Sequence, residues 1–264
     1  MNYFKNKVVW ITGASSGIGE ELAIQLSQSS ARVILSARNK ESLQLVLQKM
    51  NNPEHHLLLP LDLEKQYEFS TLCQSIIDQF GHIDMLFNNG GLSQRSEIHE
   101  TSMEVDRRIM EINYFGNIAL TKTVLPYFRK QKSGHIIVTS SVAGKFGFFL
   151  RSAYSASKHA LHGYYESLLL EEEKNNIAVT ILCPGKINTP ISMSALHGNG
   201  EKHNAMDHNQ ASGMPVSICV SKILTAVSKK KKEVLIGKRE IYAVYIKRFF
   251  PSLFWKIIKN EKAT

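Results

Sequence analysis

Short apolar runs alternate with amphipathic stretches along nearly the whole chain. β-branched and aliphatic residues cluster near 8–11, 32–36, 56–61, 83–87, 135–140, 178–182 and 233–236. Runs this continuous suit strands buried on both faces, as in a parallel sheet. Between them, apolar positions at helical spacing predict helices near 17–28, 40–50, 65–80, 102–129, 153–174 and 216–228. The alternation reads as βαβ units. It predicts an α/β fold, a doubly wound, seven-stranded parallel sheet with helices on both faces.

No Gly/Ser-rich or Pro-rich linker and no internal repeat divides the chain, so residues 1–237 are expected to form one domain with 238–264 as an appended arm. Residues 191–215 break the pattern with several Ser and Asn and three histidines, His197, His203 and His208. They read as a long loop or short helices. In open α/β sheets ligands bind beyond the carboxyl ends of the strands, so a segment after a late strand is placed to cover that crevice. The plainer alternative is a surface insertion without a role. The histidine spacing does not suggest a metal site, and none is expected.

Of the 264 residues, 43% are apolar and 21% charged, which excludes a disordered or fibrous chain. Cys73, Cys183 and Cys219 are far apart and form no CxxC pair, so they read as core thiols of a reducing compartment. The net charge of +9 is uneven. Residues 1–221 carry 20 basic against 20 acidic residues, and 222–264 carry 12 against 3. A neutral body with a basic arm does not fit a nucleic-acid-binding face spread over the domain. The N-terminal apolar run, 8–11, is too short for a secretory signal. The stretch 241–258 is interrupted by Lys247, Arg248, Pro251 and Lys256, and falls short of the roughly 20 apolar residues of a spanning helix. The expectation is a cytoplasmic protein.

The arm mixes Tyr242, Tyr245, Phe249, Phe250, Phe254 and Trp255 with Lys247, Arg248, Lys256 and Lys259. Packing over the cleft or on a sister subunit is the favoured reading. Peripheral contact of 240–259 with an anionic membrane is the other. The Lys229–Lys232 run reads as a solvated face.

Thr12-Gly13-Ala14-Ser15-Ser16-Gly17-Ile18-Gly19 follows the first strand and opens the first helix. Glycines let the backbone approach a pyrophosphate, and the helix start offers unpaired N–H groups. The spacing is T-G-x-x-x-G-x-G rather than G-x-G-x-x-G. After the second strand stands Ser36-Ala37-Arg38, where an NAD site would place an acid. A guanidinium without a repelling carboxylate suits the 2′-phosphate of NADP(H), unless Arg38 is a solvated loop residue. Asp62, after the third strand, is placed to accept from an adenine amino group.

Tyr154 and Lys158 lie at i, i+4 and share one helix face. A free tyrosine is only about one part in a thousand ionised at neutral pH, and lowering its pKa to about 7 takes roughly 4 kcal/mol. The ammonium supplies part of that, and an oxidised nicotinamide would add to it. Ser141, just past the fifth strand, offers a hydroxyl to polarise a carbonyl oxygen that Tyr154 protonates. Asn113 is polar among apolar neighbours on the fourth helix. It reads either as a helix-bend residue bonded to its own backbone or as a water-mediated link to Lys158.

Taken together, Thr12 to Gly19, Asp62, Asn88-Asn89-Gly90-Gly91, Asn113, Ser141, Tyr154, Lys158 and Pro184-Gly185-Lys186-Ile187-Asn188-Thr189 resemble the classical short-chain dehydrogenases/reductases over about residues 5–237. The resemblance implies a Rossmann-type sheet and a catalytic tetrad of Asn113, Ser141, Tyr154 and Lys158, with Ser141 and Tyr154 also touching substrate. It implies NADP(H) held by Gly13, Ser15, Ser16, Gly17, Ile18, Gly19, Arg38, Asp62, Leu63, Asn89, Gly90, Tyr154, Lys158, Pro184, Gly185, Ile187 and Thr189. Asn89 and Gly90 would flank the adenosine, and Ile187 would meet the carboxamide through its backbone. Gly90 departs from the usual alanine, which is expected to loosen the loop slightly.

The implied activity is hydride transfer between the nicotinamide and a carbonyl or secondary alcohol. Phe146, Phe148, Phe149 and Leu150 near the cleft suggest an apolar or amphipathic, lipid-like substrate. A homodimer or homotetramer through the fourth and fifth helices is implied by resemblance. The competing reading is a non-catalytic NADPH-binding regulator on the same fold, against which the intact tetrad argues.

Overall fold

A computed structural model describes residues 2–261, so 262–264 of the expected arm lie outside the described residues. Seven parallel strands stand in the spatial order β3-β2-β1-β4-β5-β6-β7. They are β1 (Val8–Thr12), β2 (Arg32–Ser36), β3 (Leu57–Leu58), β4 (Met85–Asn88), β5 (Gly134–Thr139), β6 (Ile177–Pro184) and β7 (Glu233–Ile236). The helices are α1 (Gly17–Gln28), α2 (Lys40–Leu47), α3 (Phe69–Phe80), α4 (Met103–Met110), α5 (Gly116–Gln131), α6 (Ser152–Glu172), α7 (His208–Ala211), α8 (Val216–Ser228), α9 (Tyr242–Phe249) and α10 (Pro251–Ile258).

Successive strand residues face opposite ways, and here both faces are dry. From β1, Val8 and Trp10 enter a core with Cys73, Ile76, Ile109, Leu120 and Leu161 of α3–α6. Val9 and Ile11 enter a second core with Leu22, Leu26, Leu43, Val220 and Ile223 of α1, α2 and α8. That double burial is why the strands read as unbroken apolar runs. Cys73, Cys183 and Cys219 are buried and unpaired.

The structure departs from the sequence reading in two places. The strand expected over 56–61 shortens to two residues, although Leu59 N still donates to Leu35 O (3.0 Å) and Leu61 N to Ala37 O (3.1 Å). The continuous helix expected over 102–129 is split by a π-helical turn, Glu111–Phe115, between α4 and α5. The Asn117 amide donates to Asn113 O (2.8 Å) and Ile112 O (3.2 Å), giving partners to carbonyls that the wide turn would otherwise leave bare, and to Gly90 O (3.3 Å) of the loop after β4.

Residues 191–215 form short pieces tied to the body. Leu196 bridges to Gln94 and Lys202, and Met214 to Ile187. The arm folds back, with Phe254 buried against Val142 and Phe146 and the Glu240 carboxylate accepting from Lys186 N (2.8 Å). No helix of the described residues is long and apolar enough to cross a membrane.

Candidate active site

The strand order reverses between β1 and β4, and a cleft opens there beyond the carboxyl ends of the strands. The β1–α1 turn forms its floor. Gly13 holds φ +65°, which favours glycine. A Cβ on Gly19 would come within 2.1 Å of Gly13 O, so only glycine lets α1 start so close to the strand. Ser15, Ser16, Gly17 and Ile18 line the cleft at the start of α1.

The Thr12 hydroxyl accepts from Asn89 N (3.0 Å) and Gly90 N (2.9 Å) and donates to Phe87 O (3.2 Å). Asn89 in turn donates to Thr12 O (3.2 Å) and accepts from Thr139 (3.2 Å). Its side chain therefore joins β1, β4 and β5, and what it offers the cleft is position rather than a free amide.

One end of the cleft is lined by Arg38, Asp62 and Leu63. Ser36 is committed to the core: its hydroxyl accepts from Trp10 Nε1 (2.8 Å) and donates to Leu59 O (2.6 Å). The exposed Arg38 is thus the charged group that the β2 end presents. The loosening expected at Gly90 is offset by Leu63. A Cβ on Gly90 would lie 2.8 Å from Leu63 Cδ1, so that side chain fills the space the missing methyl leaves.

At the other end Tyr154 and Lys158 project from α6, with Ser141 on the loop after β5. Lys158 is buried, donates to Thr139 O (2.7 Å) and lies 5.7 Å from the Tyr154 ring centre. Burial brings its pKa down to about 8. Burial also pushes the Tyr154 phenol above its ordinary value, opposed by a hydrogen bond from Ser141 and by the charges of Arg151 and Arg95. Ser141 and the two arginines thus act on Tyr154 in the direction that favours its ionised form, beside Lys158 on the same helix.

Asn113, in the π turn, is fully buried. It accepts from Leu92 N (2.7 Å) and donates to Leu92 O (2.9 Å) and Ser157 (3.0 Å). A Cβ on Gly91 would lie 2.9 Å from Asn113 Oδ1 and 3.5 Å from Lys158 Nζ, so both side chains flank that glycine. Asn113 is bonded across the fold to Leu92 and not to its own helix, which sets aside the helix-bend reading.

On the remaining wall, Asn188 N donates to Met214 O (2.9 Å) and Met214 N to Lys186 O (2.8 Å). By the alternation of an extended strand, Ile187 turns its own N–H and C=O the opposite way. Pro184, Gly185 and Thr189 complete this side.

Residues 7–200 match the short chain dehydrogenase family. The chain belongs to the classical short-chain dehydrogenases/reductases. It is 38% identical over 265 residues to dehydrogenase/reductase SDR family member 7B of Mus musculus, covering 98% of this chain and 82% of that one. It is 41% identical over 266 residues to dehydrogenase/reductase SDR family protein 7-like of Anopheles gambiae, covering 98% and 84%. A short-chain dehydrogenase of Streptomyces avermitilis superposes with a TM-score of 0.82 at 25% identity, covering 97% of this chain and 96% of that one. A short-chain dehydrogenase/reductase of Burkholderia phymatum, solved in complex with NAD, does so at 0.83 and 20% identity over 96% of each chain, a likeness of fold.

Around the family motifs stand supporting residues that the sequence did not single out. Gln94 Oε1 accepts from Ala153 N (2.8 Å) and Tyr154 N (3.4 Å), so a side chain from the β4–α4 loop caps the helix bearing Tyr154. His162 lies one turn beyond Lys158. Its Nε2 meets the Ser140 hydroxyl (3.0 Å), which donates to Lys158 O (3.1 Å). His162, Cys183 and Glu233 bring metal-ligand atoms within 4.8 Å of one another. The Lys145 ammonium already joins Glu233 (2.5 Å) to His162 Nδ1 (3.1 Å), so a cation of the chain itself fills that space. A Cβ on Gly185 would lie 2.4 Å from Glu240 Oε1, which packs the root of the arm against the cleft wall. None of these partners carries a local sequence signature, because each is fixed by long-range contact.

Proposed function

We propose that this short-chain dehydrogenase/reductase is an NADP(H)-dependent oxidoreductase interconverting a carbonyl and a secondary alcohol on an apolar or amphipathic substrate. The observation that carries the reading is convergence. Ser141, Tyr154 and Lys158 line one end of a cleft whose other parts are the glycine turn and Arg38, with Asn113 directly behind Gly91.

The residues fit a dinucleotide. The close packing of Gly13 and Gly19 bares backbone at the start of α1, and Arg38 lines the cleft at the β2 end, where a guanidinium with no carboxylate on that strand end to oppose it would favour a 2′-phosphate. When bound, the nicotinamide supplies or accepts the hydride. Tyr154 delivers the proton to the carbonyl oxygen, and Ser141 donates a hydrogen bond to the same oxygen. Lys158, with a pKa of about 8, is poised to exchange a proton near neutrality. Asn113 fixes the Leu92 backbone beside it. A homodimer or homotetramer follows from the resemblance, with Phe115 and Leu170 exposed on the helices it assigns to subunit contact.

The test is a fluorescence titration with NADPH and NADH, followed by carbonyl reduction with Tyr154→Phe as control. At least about tenfold tighter NADPH binding supports the Arg38 assignment. Equal affinities overturn it, and the Burkholderia relative with NAD makes that outcome a real comparison. Tyr154→Phe should bind NADPH normally and lose all but a few per cent of turnover. Binding without turnover in the parent protein, across a panel of apolar ketones, would instead support the non-catalytic regulator.

A further inference from the structure

The C-terminal arm has two faces, and only one is used by the fold. Phe254, Ile258 and Val244 turn inward onto Val142 and Phe146, and Lys247 donates to Lys145 O (3.0 Å). The outward face is different. Of the seventeen exposed large apolar side chains among the described residues, seven fall within 242–257, including Phe249 at 68%, Phe250 at 64% and Trp255 at 57% exposure. Isolated exposed apolar residues are ordinary, but a concentration of aromatics on two adjoining helices marks a surface that meets something.

The charges say what. Lys247, Arg248, Lys256 and Lys259 accompany these aromatics on α9 and α10 and the residue after them. Glu240 is turned inward, accepting from the backbone N–H groups of Lys186 and Lys238. The arm therefore shows the outside a positive, aromatic surface. Two copies of it brought together would bury like charges against each other, whereas an anionic bilayer is complementary in both respects. Aromatic side chains suit the headgroup boundary, and neither helix is long enough to cross it.

We infer that α9 and α10 seat the protein on an anionic lipid surface, with Tyr245, Phe249, Phe250 and Trp255 entering the headgroup region and Arg248, Lys256 and Lys259 facing lipid phosphates. The interaction does not depend on catalysis. Because the same helices rest on the loop of Val142 and Phe146, the surface is continuous with the loop between β5 and α6, which leads to Tyr154.

Flotation of the full chain with phosphatidylcholine vesicles, with and without phosphatidylserine, tests this. Wild type should float with the anionic vesicles and less with the neutral ones, and added salt should weaken it. Trp10 is wholly buried, so a blue shift of tryptophan emission on vesicle addition reports Trp255. Two variants confined to exposed positions, Phe249→Ser/Phe250→Ser/Trp255→Ser and Arg248→Glu/Lys256→Glu/Lys259→Glu, should each partition at least about tenfold more weakly while unfolding at the wild-type temperature. The inference fails if wild type stays in the aqueous fraction or if all three proteins float alike. It fails equally if the apolar variant turns a wild-type dimer into a monomer, which would make the face a subunit contact.

Discussion

Arg95 and Asp207 form an ion pair across 112 residues of sequence, with side chains only 2% and 1% exposed. Arg95 Nε donates to Asp207 Oδ2 at 2.7 Å, Nη2 donates to the same oxygen, and Arg151 reaches it at 3.4 Å. The pair pins the 191–215 segment to the loop after β4. It also sets a charge balance of two guanidiniums against one carboxylate beside Tyr154.

That balance makes a signed prediction. Asp207→Asn removes the negative charge offsetting Arg95 and Arg151, so the Tyr154 hydroxyl should become more acidic. Arg95→Met should shift it the other way. Ultraviolet difference titration of tyrosinate, with Tyr154→Phe as the blank, reads both shifts without any substrate. Asp207→Asn should also lose about 3 kcal/mol of stability, because it leaves the buried Arg95 charge uncompensated, and Arg95→Met should lose less, because Arg151 still reaches Asp207. Shifts of the same sign in both variants would mean that the cluster acts only through packing.

The adjacent glycines 90 and 91 should respond differently to the same added methyl. At Gly90 the Cβ meets the far end of Leu63 at 2.8 Å, which can turn aside. At Gly91 it meets Asn113 Oδ1 at 2.9 Å, and that oxygen is held by Leu92 N. Urea unfolding should show Gly90→Ala within about 1 kcal/mol of wild type and Gly91→Ala about 2 kcal/mol less stable. Turnover should fall only in the second.

The contrast shows what the sequence could and could not disclose. The alternation of apolar runs fixed seven strands and their order of appearance because parallel strands are buried on both faces and leave continuous runs. Arg32–Ser36 and Glu233–Ile236 match the observed strands residue for residue. Tyr154, Lys158 and Ser141 were legible because they sit in local motifs. The π turn was not, since it depends on Asn117 reaching three carbonyls, and neither were Gln94, Arg95 and Asp207, whose meaning exists only once distant loops meet.

Two buried histidines should make stability depend on pH in a set window. Burial brings His162 down to about 4, with Lys145 opposing its charge and Glu233 favouring it. Burial also brings His135, whose Nε2 meets Thr180 at 2.8 Å, down to about 3. In the unfolded chain both take up a proton near 6.5, so below that pH the unfolded state binds more protons. Their contribution is complete above about pH 6.5 and is lost as pH falls toward 4 and then 3. Urea midpoints measured across pH 4 to 7 should rise with pH, and His162→Gln should flatten the slope by up to one proton, on the order of 2 kcal/mol after allowing for solvent screening.

Gln94 tests whether the cap matters to the chemistry as well as to the helix. Its Oε1 accepts from the first N–H groups of α6, and its Nε2 donates to the hydroxyls of Thr101 and Ser152. Gln94→Leu should cost about 1 kcal/mol, the usual worth of a lost cap. Because Tyr154 N is one of the capped groups, the start of α6 should also shift, lowering kcat about tenfold with KM for the cofactor little changed. Gln94→Glu keeps the accepting oxygens, and the Ser152 hydroxyl can turn to donate, so most of kcat should return. If Leu and Glu lose kcat equally, Gln94 contributes through its donor side, and the capping account of Tyr154 is wrong.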